Sequence, residues 1–137
     1  MLLVFYEKLD SLERHLKLVF HRFFEDNKIN VRINNSDPLS HFDPFARKFR
    51  ATQKLQAEPV PIGDKVVEIQ AYVLPHHSKI TTQEYNDNAG EGGYLKNQGF
   101  YVYRGKRLIT HGTWFRMKPK SELAKLTRIQ IDLPNNL

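Results

Sequence analysis

Several side chains in this sequence have types and spacing that would suit catalysis or metal binding. His76 and His77 are adjacent at the end of a predicted strand, and Ser78 follows them. Neighbouring histidines can bind a metal, but on an extended chain their side chains point to opposite faces. A nucleophilic serine needs a base and a carboxylate, and Ser78 and nearby Glu84 stand in no recognisable motif. We therefore predict no metal site and no catalytic residue, and a hydrolase built on either histidine is the remotest hypothesis.

The acidic residues and a glycine cluster also have ordinary interpretations. Glu84, Asp87, Glu91 and Asp132 offer carboxylates for acid–base catalysis, but their spacing does not separate them from solvated charges. Residues 90–93 (GEGG) resemble a phosphate cradle. The cluster neither follows a strand nor carries the Lys-Ser or Lys-Thr pair of a phosphate-binding loop. A flexible loop is the better prediction.

The best functional candidate is a set of cations on a predicted hairpin. Residues 97–115 (NQGFYVYRGKRLITHGTWF) alternate as two strands that turn at Gly105 and Lys106. The cations on and beyond this hairpin are Arg104, Lys106, Arg107, Arg116, Lys118 and Lys120. The aromatic residues among them are Phe100, Tyr101, Tyr103, Trp114 and Phe115.

Two interpretations of this hairpin stay open. In a protein that binds single-stranded nucleic acid, such rings stack on bases while cations contact phosphates. Alternatively, Phe100, Val102, Leu108 and Ile109 fill the core, and the cations keep the sheet edge from pairing with other chains. The pattern alone favours the second interpretation.

Composition limits the classes to which the chain can belong. Its 137 residues contain no cysteine, which excludes disulfide scaffolds, zinc–thiolate sites and thiol catalysis and favours the cytoplasm. No apolar run approaches the roughly 20 residues of a membrane span, so we expect no membrane partner. The formal charge of +6 and a pI near 9.6 are compatible with nucleic-acid or nucleotide partners, although the charge is spread along the chain.

The elements that would position these residues can be predicted from periodicity. Apolar residues at three- and four-residue steps predict a helix over residues 9–26, ending near Asn27. A capping-box spacing of Thr81 and Glu84 predicts a short helix over residues 81–88. Alternation predicts strands at residues 28–34, 65–74, 99–103, 107–111 and 126–133.

The remaining segments are irregular in this prediction. We expect an edge strand within residues 49–62, interrupted by Pro59 and Pro61, a loop over residues 89–99, and a helical turn at residues 121–125. The order of elements indicates a single α+β domain with a mixed β-sheet covered on one face by helices.

Beyond periodicity, the hairpin carries a resemblance. GFYVYRGKRLI is similar to the second-domain hairpin of GHKL ATPases, the superfamily of gyrase B subunits, heat-shock chaperones, MutL-type mismatch-repair proteins and histidine kinases. MutL-type and Microrchidia-type members carry a similar strand, a short polar turn, and then Arg-Leu-Ile. Five segments together resemble one bacterial group of HSP90-like ATP-binding proteins: residues 16–26, 42–45, 72–81, 97–109 and 128–137.

The resemblance implies that the chain is a transducer domain with the fold of the second domain of small-subunit ribosomal protein five. That fold is α+β and has an unusual left-handed βαβ crossover. A transducer packs beside the ATP-binding domain, senses the γ-phosphate and passes the nucleotide state to dimerisation or a downstream partner. It works by population shift, because ATP favours one domain arrangement through its differential contacts.

The resemblance places the catalytic parts outside these 137 residues. The ATP-binding domain, with its magnesium motif and glycine-rich lid, would precede residue 1, and the ATP-sensing lysine would follow residue 137. ATP and Mg are therefore expected cofactors of a longer parent ATPase, and none is expected in this segment. The implied partners are that ATP-binding domain and, in the parent, a second copy.

The resemblance also suggests site residues. Gln98, Arg104 and Arg107 match the family's hairpin and would form an interface with the nucleotide domain or a signalling surface. The alternative function, a basic nucleic-acid-binding α+β module, would use Lys106, Arg116 and Lys118. For Gly99, Gly105 and Trp114, a structural role fits the sequence pattern at least as well as a functional one.

Overall fold

The structure, a computed structural model, describes residues 2–25 and 42–135 of the chain. Residues 1–43 and 44–137 form two compact units, and each is described by itself. The described elements are α1 (Leu2–Val19), α2 (His21–Glu25), β1 (Gln53–Lys54), β2 (Glu58–Ile62), β3 (Lys65–Val73), α3 (Thr82–Ala89), α4 (Tyr94–Asn97), β4 (Gly99–Arg104), β5 (Arg107–Thr113) and β6 (Thr127–Leu133).

The first unit contains the predicted helix in two pieces. Its first piece, α1, begins at Leu2, seven residues before the predicted start. The break comes at Phe20, whose carbonyl accepts hydrogen bonds from the backbone N–H groups of Phe23 (3.0 Å) and Phe24 (3.2 Å). This shared acceptor tightens the chain into the separate turn of α2. The predicted stop at Asn27 and the strand at residues 28–34 lie outside the described residues.

The second unit is built on a six-stranded sheet. The strand order is β1-β3-β6-β4-β5, and β2 also pairs with β3. Strands β4 and β6 run parallel, whereas the other described pairs are antiparallel. This mixed sheet with several helices confirms the predicted α+β class. The likeness to the second domain of ribosomal protein five stays a prediction.

Most of the predicted local elements in this unit are confirmed, with three corrections. Thr81 caps α3 through a complete capping box with Glu84. The edge strand β2 runs through both prolines without interruption, since an edge strand needs no N–H on its outer side. The predicted loop over residues 89–99 contains the short helix α4, and residues 121–125 form turns instead of a helix.

The core of the second unit is centred on Phe45. This ring is fully buried and stacks on Tyr72, with ring centroids 4.8 Å apart. It also contacts Tyr101 and Tyr103 of β4, at centroid distances of 5.5 and 6.3 Å. Burying an aromatic or aliphatic side chain contributes roughly 1.5–3 kcal/mol, so this cluster is a major source of stability for the unit. A segment that is distant in sequence therefore covers one face of the sheet.

Candidate functional site: the hairpin and its two ends

The hairpin predicted at residues 97–115 is present, and it turns tightly. Strands β4 and β5 pair antiparallel, with Arg104 opposite Arg107. Gly105 and Lys106 both have left-handed backbones, with φ of 57° and 66°. Two successive positive φ values are typical of a type I′ turn, whose twist matches that of the paired strands. The turn therefore holds the two exposed arginines across from each other at the tip.

The tip lies beside the end of β6. Arg104 is the register partner of Leu133, the last residue of that strand. A Cβ atom added to Gly105 would lie 3.3 Å from Asn135 Oδ1. The turn and the residues that follow β6 are thus close neighbours.

Other cations lie at the opposite end of the hairpin. Arg116 and Lys118 follow β5 and are exposed, and Lys118 Nζ lies 4.7 Å from the centre of the Trp114 ring. A strand rises about 3.3 Å per residue, so the ends of the seven-residue β5 are about 20 Å apart. The structure therefore does not bring Lys106 together with Arg116 and Lys118 as a single nucleic-acid surface.

Gln98, the third predicted interface residue, has a structural place in this fold. Its side chain is 0 % exposed. Its Oε1 atom accepts hydrogen bonds from Trp114 Nε1 at 2.9 Å and from Ser121 N at 3.1 Å. Its Nε2 atom donates to the carbonyls of Leu95 and Ser121, both at 3.0 Å. Two donated and two accepted bonds use the hydrogen-bonding capacity of the amide, which leaves Arg104 and Arg107 as the surface part of the prediction.

The aromatic residues of the hairpin are mostly part of the core. Tyr101, Tyr103 and Trp114 are 2, 0 and 8 % exposed. Base stacking needs an open ring face, so these rings do not offer a stacking platform. Val102 and Leu108 are buried too, as the structural interpretation predicts.

Ile109 is the exception to that interpretation, because it is 50 % exposed. The register between β4 and β5 shifts after Val102: Val102 pairs with Thr110, and Tyr103 pairs with Leu108. Ile109 is the residue that the shift skips, so it has no register partner on β4. The prediction that Ile109 fills the core was therefore wrong.

The structural role of one buried polar residue, Arg128, was not predicted. Arg128 on β6 is 1 % exposed. Its Nη1 and Nη2 atoms donate to the carbonyls of Pro44 (2.8 Å) and Ala89 (3.0 Å), and its guanidinium lies 5.7 and 5.9 Å from the ring centres of Tyr94 and Tyr101. Burial raises the pKa of Tyr94 to about 12, and the nearby Tyr85 adds to the rise, whereas Arg128 opposes it. In the sequence of β6, Arg128 alternates with apolar residues, and the polar positions of such a strand usually face solvent.

The histidines after β3 do not point apart as predicted. The rings of His76 and His77 lie 4.0 Å apart. The chain turns at this point, with Lys79 N donating to His76 O at 2.9 Å, so the extended geometry behind the prediction does not apply. His76 Nδ1 accepts from Ser78 N at 3.2 Å and lies 2.9 Å from Ser78 Oγ. Within residues 2–25 and 42–135, no three His, Asp or Glu side chains are grouped to hold a metal ion.

Glu84, the carboxylate considered for a triad, has another function in the structure. Its Oε1 atom accepts a hydrogen bond from Thr81 N at 2.9 Å, and its own N–H donates to Thr81 Oγ1 at 3.1 Å. The hydrogen bond from the Thr81 backbone, and then an interaction of the Thr81 side chain with the carboxylate, lower the pKa of Glu84. Glu84 thus caps α3.

The glycine cluster at residues 90–93 presents carbonyls inward instead of N–H groups to a ligand. Asn97 Nδ2 lies 2.9 Å from each of three carbonyl oxygens, those of Ala89, Glu91 and Gly93. A phosphate cradle requires converging N–H groups, because a phosphate accepts hydrogen bonds. The side chain of Asn97 therefore ties this loop to the base of β4.

Comparisons with known proteins identify no relative of this chain. No protein-family model, no curated protein and no solved structure matches it. Among the described residues, no helix has the length and apolar character needed to cross a membrane. The resemblance to HSP90-like ATP-binding proteins therefore stays a prediction.

Proposed function

We propose that the chain is a non-catalytic transducer domain of a GHKL-type ATPase. In this proposal the tip of the β4–β5 hairpin passes the nucleotide state of a neighbouring ATP-binding domain to a downstream partner. The observation that carries the proposal is the convergence of the resembling segments. They come from distant parts of the sequence, yet most of them meet in one piece of the structure.

The convergence is visible strand by strand. Residues 72–81 begin at the end of β3, and residues 97–109 include β4 and the first three residues of β5. Strand β6 begins within one residue of the segment 128–137, and β3, β6, β4 and β5 are successive in the sheet. Phe45, from a fourth segment, stacks on Tyr72, and the neighbouring Pro44 carbonyl accepts the hydrogen bond from Arg128.

The geometry of the tip suits a signalling surface. Arg104 and Arg107 are exposed and opposite each other, and like charges directly opposite in a sheet repel. The tip therefore presents positive charge, which an acidic surface of a partner domain would complement. The tip also lies beside Asn135, on the chain that leads towards the position expected for the ATP-sensing lysine. A change in the path of that chain would therefore act on the tip directly, as a population shift requires.

A turnover measurement tests this proposal. We expect the full-length product of the source gene to hydrolyse Mg·ATP, and the 137-residue chain to show no turnover. Absence of turnover in the full-length product, or a gene product with no ATP-binding domain before residue 1, would overturn the proposal.

The alternative function, a nucleic-acid-binding module, has less support. Its predicted contacts Lys106, Arg116 and Lys118 lie at two ends of a strand, about 20 Å apart by the rise of β5. The log–log salt dependence of DNA or RNA affinity measures the number of phosphates neutralised. We expect Arg104→Ala with Arg107→Ala to leave that slope unchanged.

A further inference from the structure

The base of the hairpin carries a second surface that the proposed function does not use. Residues 115–123 (FRMKPKSEL), here called the basic loop, follow Trp114. Phe115, Met117 and Leu123 are 50, 74 and 100 % exposed. Three cations of the loop are exposed as well: Arg116, Lys118 and Lys120. Three strongly exposed apolar side chains within nine residues of sequence indicate an interaction site, because each one leaves its area in water.

The basic loop is fixed at both sides by one buried residue. Gln98 Oε1 accepts hydrogen bonds from Trp114 Nε1 at 2.9 Å and from Ser121 N at 3.1 Å. Gln98 Nε2 donates to Ser121 O at 3.0 Å. These bonds hold residues 114 and 121 together, so the residues between them are presented from a rigid base.

The backbone of the loop is strained at its first residues. Phe115 and Arg116 have φ of 50° and 67°, in the left-handed region that non-glycine residues avoid. The turn is closed by Met117 N, which donates to Trp114 O at 2.9 Å. Strain of this kind persists only where the surrounding structure imposes it, and it is concentrated at binding sites.

The basic loop combines positively charged side chains with exposed apolar ones. Glu122, its acidic residue, lies 3.1 Å from Lys125 Nζ and is thus partly offset. Lys118 Nζ lies over the Trp114 ring, and Phe100 stacks on the Phe115 ring with centroids 5.5 Å apart. Ring faces that are already occupied are poor platforms for bases. The side chains that remain for a partner are flexible apolar groups between cations.

We infer that the basic loop is a docking surface for a membrane that contains anionic phospholipids. Arg116 and Lys118 contact the charged headgroups, while Phe115, Met117 and Leu123 enter the interface between headgroups and acyl chains. Lys120 Nζ instead donates a hydrogen bond to the Lys96 carbonyl and adds positive charge beside the loop. A protein partner would need a separate pocket for each protruding side chain, whereas a lipid interface accepts them at any spacing. A peripheral contact needs no membrane-spanning segment, so it departs from the sequence-based expectation of no membrane partner.

Vesicle co-sedimentation of the 137-residue chain tests the inference. The probes are vesicles of phosphatidylcholine alone and vesicles that also contain phosphatidylserine. We expect binding to the anionic vesicles at low salt, release at high salt, and little binding to the neutral ones. No binding to anionic vesicles, or equal binding to both kinds, would overturn the inference.

Two double variants separate the charge from the apolar contribution. Arg116→Gln with Lys118→Gln should weaken vesicle binding about 30-fold, since each cation near an anionic surface contributes about fivefold. Met117→Ser with Leu123→Ser keeps every charge and should still weaken binding at least tenfold, because the apolar side chains no longer enter the interface. All four side chains are exposed, and equal thermal unfolding midpoints would show that the variants fold normally.

The matched control changes the same charge at the other end of the hairpin. Lys106→Gln with Arg107→Gln should leave vesicle binding within about twofold of the parent chain, because those residues are about 20 Å away along β5. An equal loss in this control would mean that net charge alone drives binding. If Met117→Ser with Leu123→Ser has no effect while the loop-cation variant weakens both vesicle and DNA binding, the loop is a general polyanion surface. Either result would overturn the inference.

Discussion

At the base of the β4–β5 hairpin the polar side chains are buried and bonded to fixed partners, whereas at its tip they are exposed. Gln98 makes four hydrogen bonds at 0 % exposure. Arg104 and Arg107 face each other across an exposed turn. A change at the base should therefore reduce stability, while a change at the tip should alter only what docks there. This difference separates residues that are buried in the fold from residues that are exposed at the proposed signalling surface.

Arg128 and Arg104 show the same difference between buried and exposed polar side chains within a single residue type. Both lie on neighbouring, parallel strands. Arg128 is 1 % exposed and donates to two backbone carbonyls, whereas Arg104 is exposed. A buried acceptor that loses its donor bears the full cost of desolvation, but an exposed group turns to water. Burial and partners, and not charge, decide which arginine the fold needs.

The largest expected effect is that of removing the buried arginine. Arg128→Ala leaves the carbonyls of Pro44 and Ala89 without their donor and opens space beside Tyr94 and Tyr101. We expect the free energy of unfolding to fall by about 4 kcal/mol. Urea unfolding measures this change. Arg104→Ala is the matched control and should cost less than about 0.5 kcal/mol; similar losses in both variants would break the comparison.

Removing the side chain of Gln98, which bonds to Trp114 and Ser121 at the base of the hairpin, should have the next largest effect on stability. Gln98→Ala deprives Trp114 Nε1 of its acceptor and frees the start of the basic loop. We expect a loss of about 3 kcal/mol and a red shift of fluorescence from Trp114, the single tryptophan of the chain. Gln83, whose exposed side chain bonds to Asp87 at 2.8 Å, provides the control. Gln83→Ala should change neither the free energy of unfolding nor the Trp114 emission appreciably. An unshifted Gln98→Ala emission spectrum would show that Gln98 does not hold Trp114 in place.

The pH dependence of stability tests the buried tyrosine near Arg128. Burial raises the pKa of Tyr94 from its ordinary value of 10.0 to about 12, and its hydroxyl donates to Tyr85 O at 2.6 Å. The unfolded chain ionises this group first, so the stabilisation is intact below pH 10 and is lost as the pH rises towards 12. We expect Tyr94 to account for about 2 kcal/mol of that loss.

Tyr94→Phe should remove that part of the decline, at a cost of about 1 kcal/mol at neutral pH for the lost hydrogen bond. Urea unfolding at several pH values between neutral and 12 provides the measurement. An unchanged alkaline decline in Tyr94→Phe would show that Tyr94 is not its source.

The smallest expected effect on stability is at the tip. Arg104→Ala combined with Arg107→Ala removes two exposed cations that lie opposite each other. We expect the unfolding free energy to change by less than about 1 kcal/mol, because exposed substitutions usually change it by at most about 0.5 kcal/mol each. Thermal unfolding of the 137-residue chain measures it. A large loss would mean that the tip, like the base, is needed by the fold.

Local patterns predicted the elements that are held by local interactions. The alternation of β3, the turn of the hairpin and the capping box of Thr81 and Glu84 each depend on residues close in sequence. The fold class followed from their order. The helix α4 was missed because four residues after a glycine cluster give no usable periodicity.

The structural weight of the buried polar residues could not be predicted, because their partners are far away in sequence. Arg128 bonds to Pro44 across 84 positions, and Gln98 bonds to Ser121 across 23. Alternation assigns Arg128 to a polar face, but it does not tell whether a distant segment covers that face. The exposure of Ile109 could not be predicted either, because the register shift that skips this residue depends on how β4 and β5 pair.

The most direct test of the transducer proposal is Mg·ATP turnover by the full-length product of the source gene, with and without Arg104→Ala and Arg107→Ala. The matched control carries Arg116→Gln and Lys118→Gln at the other end of the hairpin. The account predicts turnover by the parent protein, a loss of about tenfold or more in the tip variant, and no comparable loss in the control. Unchanged turnover in the tip variant, or none in the parent protein, would contradict it.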